Sequence, residues 1–156
     1  MKSKDDILYE AKVCAVKLMG KTSYSYKGMI KKLCDKGFDE DVAEKPAGHY
    51  RELGYLDDFK YAVAYIKNAV DFKHYGYDRI MYGLRQKGVD EFTAEDAFAE
   101  LDIDFYEAAY ELAEAKADPE TLSDFKQRMK LSGFLRRRGF SYDQIEYAIN
   151  ELRNDG

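Results

Sequence analysis

The sequence predicts an all-α protein of three tandem three-helix repeats that form an elongated, curved array. Apolar residues recur at helical spacing along almost the whole chain, and they rarely alternate with polar residues as they would in strands. Proline, which interrupts helices, occurs only twice in 156 residues. A short motif also appears three times at a constant interval of 51 residues. A fixed period of this length is typical of helical repeat proteins.

The repeated motif covers residues 33–39, 84–90 and 135–141, and each copy places Leu four residues before Gly. Glycine can adopt the left-handed backbone that ends a helix, and the Lys or Arg before it complements the helix dipole. The Asp or Ser that closes each copy can cap the next helix, and Ser141 with Gln144 forms a capping box. The motif therefore predicts a helix, a one-residue turn and a second helix in every repeat.

Start and stop signals place nine helices in three repeats, which span residues 1–53, 54–101 and 102–156. Asp118 followed by Pro119 is typical of a helix N-cap and first turn. Because a three-helix unit buries little core alone, neighbouring repeats should stack. The helices are predicted over residues 5–19, 23–36, 39–53, 57–72, 76–87, 90–101, 103–116, 119–138 and 141–153.

Pro46 departs from the repeat pattern, because the equivalent positions in the other two copies are Ala97 and Ala148. A proline inside a helix removes a backbone donor and clashes with the preceding turn. We therefore expect a kink or break near Lys45 and an altered third helix in the first repeat.

Composition narrows the possible classes of function. The chain is 46% hydrophobic and 35% charged, which predicts a folded domain rather than a disordered one. No apolar run approaches the ~20 residues that cross a membrane, and no secretory signal is evident. We therefore expect a soluble, cytoplasmic protein in which Cys14 and Cys34 are reduced. His49 and His74 are isolated, and catalytic motifs are lacking, so we predict no metal, no cofactor and no enzyme activity.

The net charge of −5 favours a protein partner over tight, direct binding of nucleic acid. Basic residues nevertheless cluster on several predicted helices, where they could contact phosphate or an acidic partner surface. The alternative is a solvated helix face whose last turn complements the helix dipole. The candidates are Lys27, Lys31, Lys32, Arg79, Arg85, Lys87, Lys126, Lys130, Arg136, Arg137 and Arg138.

These candidates are expected to share helix faces to different degrees. Lys126, Lys130 and Arg137 fall within about 40° of one another on a helix, and Lys27, Lys31 and Lys32 lie on one side of theirs. Arg79 and Arg85 do not share a tight face. A single concave surface lined by three basic helices is a hypothesis. Four apolar residues of the 119–138 helix should face the core instead: Leu122, Phe125, Met129 and Leu135.

Two strings in the middle of the chain are specific enough to suggest a family. Residues 54–58 read Gly-Tyr-Leu-Asp-Asp, and residues 84–90 read Leu-Arg-Gln-Lys-Gly-Val-Asp about 30 residues later. With the Tyr-Gly-Tyr of residues 75–77 between them, they resemble the RecX family. The resemblance extends over nearly the whole chain and is strongest within residues 27–97.

The resemblance implies a regulator that binds the RecA recombinase, lies in the groove of its filament on single-stranded DNA and limits filament growth or promotes disassembly. It would thereby inhibit strand exchange, ATP hydrolysis and co-protease activity, without catalytic residues of its own. RecA would be the main partner, single-stranded DNA a weak one, and the protein a monomer. The alternatives are a generic helical adaptor or a helix-turn-helix DNA-binding protein, although the acidic charge argues against the latter.

Three residues of the family-like string, Tyr55, Asp57 and Asp58, complete the candidate contacts. The two aspartates could pair with basic residues of a partner, but the simpler interpretation is that they cap the helix they open. Tyrosines could stack on bases, although half-buried helix packing is the commoner role. The tyrosines considered are Tyr24, Tyr26, Tyr75, Tyr77, Tyr82 and Tyr142.

Overall fold

The computed structural model describes residues 1–155, and within them the chain is helical with short connecting turns and no strand. The predicted all-α class is therefore confirmed. The helices are α1 (Lys4–Met19), α2 (Tyr26–Asp35), α3 (Glu40–Glu52), α4 (Asp58–Asn68), α5 (Tyr77–Gln86), α6 (Glu91–Leu101), α7 (Phe105–Lys116), α8 (Pro119–Ser123), α9 (Phe125–Arg137) and α10 (Tyr142–Asp155). A π-helical turn over Ala69–Lys73 continues α4.

The single helix predicted over residues 119–138 is wrong, because Asp124 divides it into α8 and α9. Asp124 has an extended backbone (φ −103°, ψ 120°), and its side chain accepts a hydrogen bond from the N–H of Lys126 at 3.0 Å. A carboxylate that satisfies the first free donors of a helix favours starting a new helix over continuing the old one.

Of the kink or break expected near Lys45, the break is wrong, since α3 runs without interruption through Pro46. The kink stays a prediction. Pro46 is buried together with Ala43 and Ala47, the two alanines that α3 contributes to the core. The burial of its ring against this core offsets the backbone hydrogen bond that proline cannot donate.

The three motif copies end their helices in the same way, as predicted. Gly37, Gly88 and Gly139 have φ of +107°, +82° and +101°. In each copy the N–H of the following residue donates to the carbonyl of the motif leucine, at 3.0–3.2 Å. This reverse hydrogen bond satisfies a carbonyl that the helix end would leave unpaired. The predicted capping box is present too, because Ser141 and Gln144 exchange hydrogen bonds between side chain and backbone.

The chain contains two compact units. Unit 1 comprises Met1–Ala64 with Leu84–Ala97, and unit 2 comprises Tyr65–Gly83 with the chain from Phe98 onwards. The boundaries of these units fall inside α4, α5 and α6. The partition into repeats at residues 53 and 101 and the elongated, curved shape remain predictions.

Each unit has its own apolar core. In unit 1, α1, α2 and α3 meet, and the half-buried free thiols of Cys14 and Cys34 pack against them. In unit 2, α7 presents Ala109 and Ala113 to α10, and these small side chains let the two helices approach closely. Within the described residues, none of the helices combines the length and the apolar character needed to cross a membrane.

Candidate functional site

Five of the predicted basic residues come together in unit 1, where they line a groove of about 780 Å³. We call this feature the basic groove. One wall belongs to α2 and the other to the end of α5 and the turn that follows it. Its cationic residues are Lys27, Lys31, Lys32, Arg85 and Lys87, and the only acidic residue among its lining residues is Asp35.

A buried serine holds the two walls together. Ser25 is 1% exposed, and its hydroxyl donates a hydrogen bond to the backbone carbonyl of Lys87. The same oxygen accepts a hydrogen bond from the N–H of Gly28 at 3.0 Å, as the N-cap of α2. One side chain therefore both starts the basic helix and fixes it against the end of α5.

The close contact of the walls explains the glycine between them. A Cβ atom on Gly88 would lie 2.6 Å from the Cβ of Lys27, which is closer than side chains can pack. The φ of +82° at Gly88 is also one that L-residues rarely adopt. The sequence motif predicted the left-handed turn, but the close approach to Lys27 is visible only in the structure.

Few acidic side chains neutralise the positive charge of the basic groove. Lys31 pairs with Asp35 at 3.2 Å, and Arg85 with Glu91 at 3.8 Å, and both pairs are solvent-exposed. Such pairs contribute little and are easily exchanged for another anion. Lys27, Lys32 and Lys87 have no ion pair among the described residues. The groove is therefore a local site of positive charge on a chain whose net charge is −5.

A neighbouring cavity of about 470 Å³ extends the groove, because Tyr24 and Tyr61 line both. It adds Tyr55, which is exposed, and two further cationic residues, Lys21 and Lys60. Sequence reasoning missed these two lysines because neither belongs to the repeated motif or to a basic run. An aromatic edge beside a basic groove is an arrangement that suits single-stranded nucleic acid.

The two aspartates of the family-like string have structural partners. Asp57 accepts hydrogen bonds from the N–H groups of Phe59 and Lys60, at 3.0 and 3.2 Å, and so caps α4 as the simpler interpretation expected. Asp58 instead accepts from the N–H of Tyr26 at 2.8 Å and links α4 to the start of α2. Asp57 also lines the neighbouring cavity, and neither carboxylate lines the basic groove.

Three arginines of unit 2 form hydrogen bonds to backbone carbonyls within the same unit. Arg136 donates to the carbonyl of Phe140 at 2.7 Å, and it pairs with Asp78 at 3.2 Å. Arg138 donates to the carbonyl of Lys73 at 2.9 Å. Arg79 donates to the carbonyl of Arg137 at 3.1 Å, and its guanidinium lies 4.1 Å from the ring centroid of Tyr75.

The predicted basic set is thus divided by the structure. Arg79 belongs to unit 2, whereas Arg85 and Lys87 belong to unit 1, so these three residues form no single patch within a unit. The side chains of Lys126, Lys130 and Arg137 are exposed and make no ion pair among the described residues. They remain available for a partner.

The core positions predicted for the 119–138 helix are partly wrong. Leu135 is buried and Leu122 half-buried, but Phe125 is 68% and Met129 55% exposed. The reason is that the chain restarts its helix at Asp124, and these two side chains then line an open groove against α10. The signal that could have revealed this is the capping aspartate at position 124.

The tyrosines mostly serve helix packing. The ring of Tyr26 lies 3.9 Å from the guanidinium carbon of Arg51, and Tyr77 packs against Phe98 with ring centroids 4.4 Å apart. Tyr82 and Tyr142 are exposed.

Hydrogen bonds from the N–H and hydroxyl of Thr93 hold the pKa of the Asp90 carboxyl below its usual value. The described residues contain no group of His, Cys, Asp and Glu that could hold a metal ion.

Comparison with known proteins gives a consistent answer. Family models of the second and the third three-helix domain of RecX match residues 57–97 and 102–149. The regulatory protein RecX of Vibrio parahaemolyticus is 35% identical over 140 residues, which cover 90% of each chain. That of Clostridium perfringens strain 13 is 31% identical over 156 residues, covering 97% of this chain and 73% of the relative. The crystal structure of RecX from Lactobacillus salivarius matches with a TM-score of 0.82 at 26% identity, over 95% of this chain and 97% of that one.

Proposed function

Because the chain belongs to the RecX family of regulatory proteins, we propose that it binds the RecA recombinase and its filament on single-stranded DNA and inhibits recombinase and co-protease activity. It would act by binding rather than by catalysis, as a cytoplasmic monomer. The observation that carries the proposal is the basic groove, which gathers five cationic residues on an acidic chain.

A RecA filament on single-stranded DNA carries phosphate charge along its length, and a basic groove is attracted to such a surface. Each phosphate that a cation neutralises releases condensed counterions, so binding weakens with salt. If all five groove cations contacted phosphate, log K would fall against log salt with a slope of about −3.5. Contact with an acidic protein surface alone would give a shallower slope.

Inhibition requires more than binding. A ligand shifts an assembly equilibrium only by the difference between its affinities for the two states. The proposal therefore includes a preference for a filament state that cannot grow or exchange strands. The net charge of −5 limits the affinity for naked DNA, so that the groove acts where protein contacts supplement it.

The test is the rate of ATP hydrolysis by preformed RecA filaments on single-stranded DNA, with this protein titrated in. We expect inhibition at less than one molecule per RecA subunit. The groove variant is the triple substitution Lys31→Gln, Arg85→Gln and Lys87→Gln, which removes exposed charges without touching Ser25 or Gly88.

The matched control is the triple substitution Lys4→Gln, Lys17→Gln and Lys45→Gln. These residues are exposed and lie outside the basic groove, and the control changes the net charge by the same amount. The groove variant should require a roughly tenfold higher concentration for half-inhibition, equivalent to about 1.4 kcal/mol, while the control should behave like the wild type. Equal inhibition by both variants would remove the groove from the proposal, and no inhibition by the wild type would refute it.

A further inference from the structure

A second groove lies in unit 2, between α9 and α10, and its character is apolar rather than basic. It encloses about 510 Å³. Ile145 and Ile149 form a buried floor. Phe125, Met129 and Tyr142 line the groove with side chains that are 68%, 55% and 77% exposed. We call this feature the α9–α10 groove.

The lining positions form two helical stripes. On α9 they are residues 125, 128, 129, 132, 133 and 136, and on α10 residues 142, 145, 146, 149 and 150. This spacing keeps each set on one face of its helix, over about three turns (roughly 16 Å) on α9 and about two turns (roughly 12 Å) on α10. Two of the α9 positions, Ser132 and Gly133, are small and leave room for inserted side chains. A groove of this shape suits an amphipathic helix that inserts side chains from one face.

Charge distinguishes the two rims. From Phe125 to Arg137, α9 contains no acidic residue. At 100° per residue, Lys126, Lys130 and Arg137 lie about 90–130° around α9 from the centre of the lining stripe. They lie on the flank opposite the buried core residues Leu131 and Leu135. The outer rim along α9 is therefore positive, and none of these three cations has an ion pair among the described residues.

The other charged side chains around the α9–α10 groove are either arginines that already have a partner in the protein or acidic residues of α10. Arg128 donates to the carbonyl of Leu122 at 2.8 Å, and Arg136 pairs with Asp78 at 3.2 Å. On the α10 side, Glu146 lines the groove and Asp143 lies on the same helix. A helical ligand would therefore place carboxylates next to α9, where Lys126 and Lys130 can receive them.

We propose that the α9–α10 groove binds an acidic amphipathic helix of a protein partner. The apolar side chains of that helix, at positions i, i+4 and i+7, enter between Phe125, Met129 and Tyr142, and its glutamates or aspartates face Lys126 and Lys130. The proposal goes beyond the binding of RecA through the basic groove, because it rests on residues of unit 2 alone and defines the ligand by its chemistry.

The test uses the full chain and a fluorescein-labelled helical peptide of about 16 residues, long enough to cover three turns. The peptide carries Leu, Phe and Leu at i, i+4 and i+7 and glutamates on one flank, and a matched peptide has lysines in place of the glutamates. Fluorescence anisotropy should show the acidic peptide binding at least roughly tenfold more tightly than the basic one. The double substitution Lys126→Glu and Lys130→Glu should reverse that preference.

Gly133→Leu supplies a variant that fills the groove while keeping the fold. A Cβ at this position would meet only the mobile Nη1 of Arg137, at 3.2 Å, and leucine favours helix more than glycine does. The matched control is Gly48→Leu in α3, where an added Cβ meets no atom within 4 Å. Both variants should melt cooperatively with wild-type helicity, and only Gly133→Leu should lose the acidic peptide, by tenfold or more.

Three outcomes would overturn the proposal. The first is that neither peptide binds the wild type. The second is that Gly133→Leu binds the acidic peptide as well as Gly48→Leu does. The third is a concentration-dependent dimer in sedimentation that Gly133→Leu abolishes, because the occupant would then be a second copy of this chain. The RecA assay has no bearing on any of these outcomes, so the two proposals can fail separately.

Discussion

Gly88→Ala should destabilise unit 1 far more than Gly37→Ala, although both glycines occupy the same position of the repeated motif. Each has a left-handed backbone, with φ of +82° and +107°. An alanine in this conformation costs about 1–2 kcal/mol. At Gly37 a new Cβ meets no atom within 4 Å, so this conformational term is the whole effect.

Gly88 adds a steric term. Its new Cβ would lie 2.6 Å from the Cβ of Lys27 and 2.9 Å from the Cδ. The Cβ of Lys27 is fixed to the α2 backbone, so the helix itself must move, and overpacking of this kind costs about 1–3 kcal/mol. The movement also strains the hydrogen bond from Ser25 to the carbonyl of Lys87. The total is about 2–5 kcal/mol for Gly88→Ala, against about 1–2 kcal/mol for Gly37→Ala.

Urea unfolding measures the difference, because both glycines belong to unit 1 and the same transition reports on both. With a slope of about 2 kcal/mol/M, the midpoint of Gly88→Ala should lie at least ~0.5 M below that of Gly37→Ala. The assay of RecA inhibition provides a second measurement. Because Gly88→Ala should move α2, it should also weaken inhibition through the basic groove. Equal midpoints for the two variants would refute the steric argument, and the contact with Lys27 would then have no energetic role.

Three further predictions concern single side chains. Ser25→Ala should lower the free energy of unfolding by about 1–3 kcal/mol in urea titration, because the backbone carbonyl of Lys87 loses its donor and α2 loses its cap. Ser23→Ala, at an exposed position nearby, should change it by less than about 0.5 kcal/mol. Asp124→Ala should cost about 1 kcal/mol through the lost cap of α9, and unchanged stability would show that water replaces the carboxylate equally well. The pKa of Asp90 is lowered in the folded state, so the ionised carboxylate stabilises the fold above its unfolded-state pKa, and this contribution is lost as pH falls through its folded-state pKa. Asp90→Asn should therefore flatten the acid side of a stability–pH profile. An unchanged profile would contradict this.

Local signals in the sequence predicted the helices and turns well. Glycine after a basic residue, at a constant interval of 51 residues, located three helix ends that the structure confirms. These features depend on a few neighbouring residues, and a pattern of neighbours can reveal them. One error was also local in origin, since Asp124 outweighed the helical spacing around it. The other was tertiary, since the burial of Pro46 outweighed the usual effect of a proline inside a helix.

The candidate site was only partly predictable. The shared side of Lys27, Lys31 and Lys32 follows from helix geometry, but the fact that Arg85 and Lys87 face them depends on tertiary packing. Similarly, the guanidinium of Arg138 donates to a carbonyl 65 residues away, and no spacing rule distinguishes it from the exposed Arg137. A run of three arginines thus combines structural and available charges, which only the coordinates separate.

The hydrogen bond of Ser25 also has a consequence for the order in which the protein matures during synthesis. Its donor and acceptor are 62 residues apart in the sequence. A ribosome that has completed α1, α2 and α3 has already produced three of the five groove cations, but the opposite wall emerges only with residues 84–88. A nascent or truncated chain that stops earlier would present the basic helix α2 without the opposite wall of the groove, and the hydroxyl of Ser25 would lack its acceptor. The capacity to recognise an anionic partner should therefore appear abruptly as the chain lengthens.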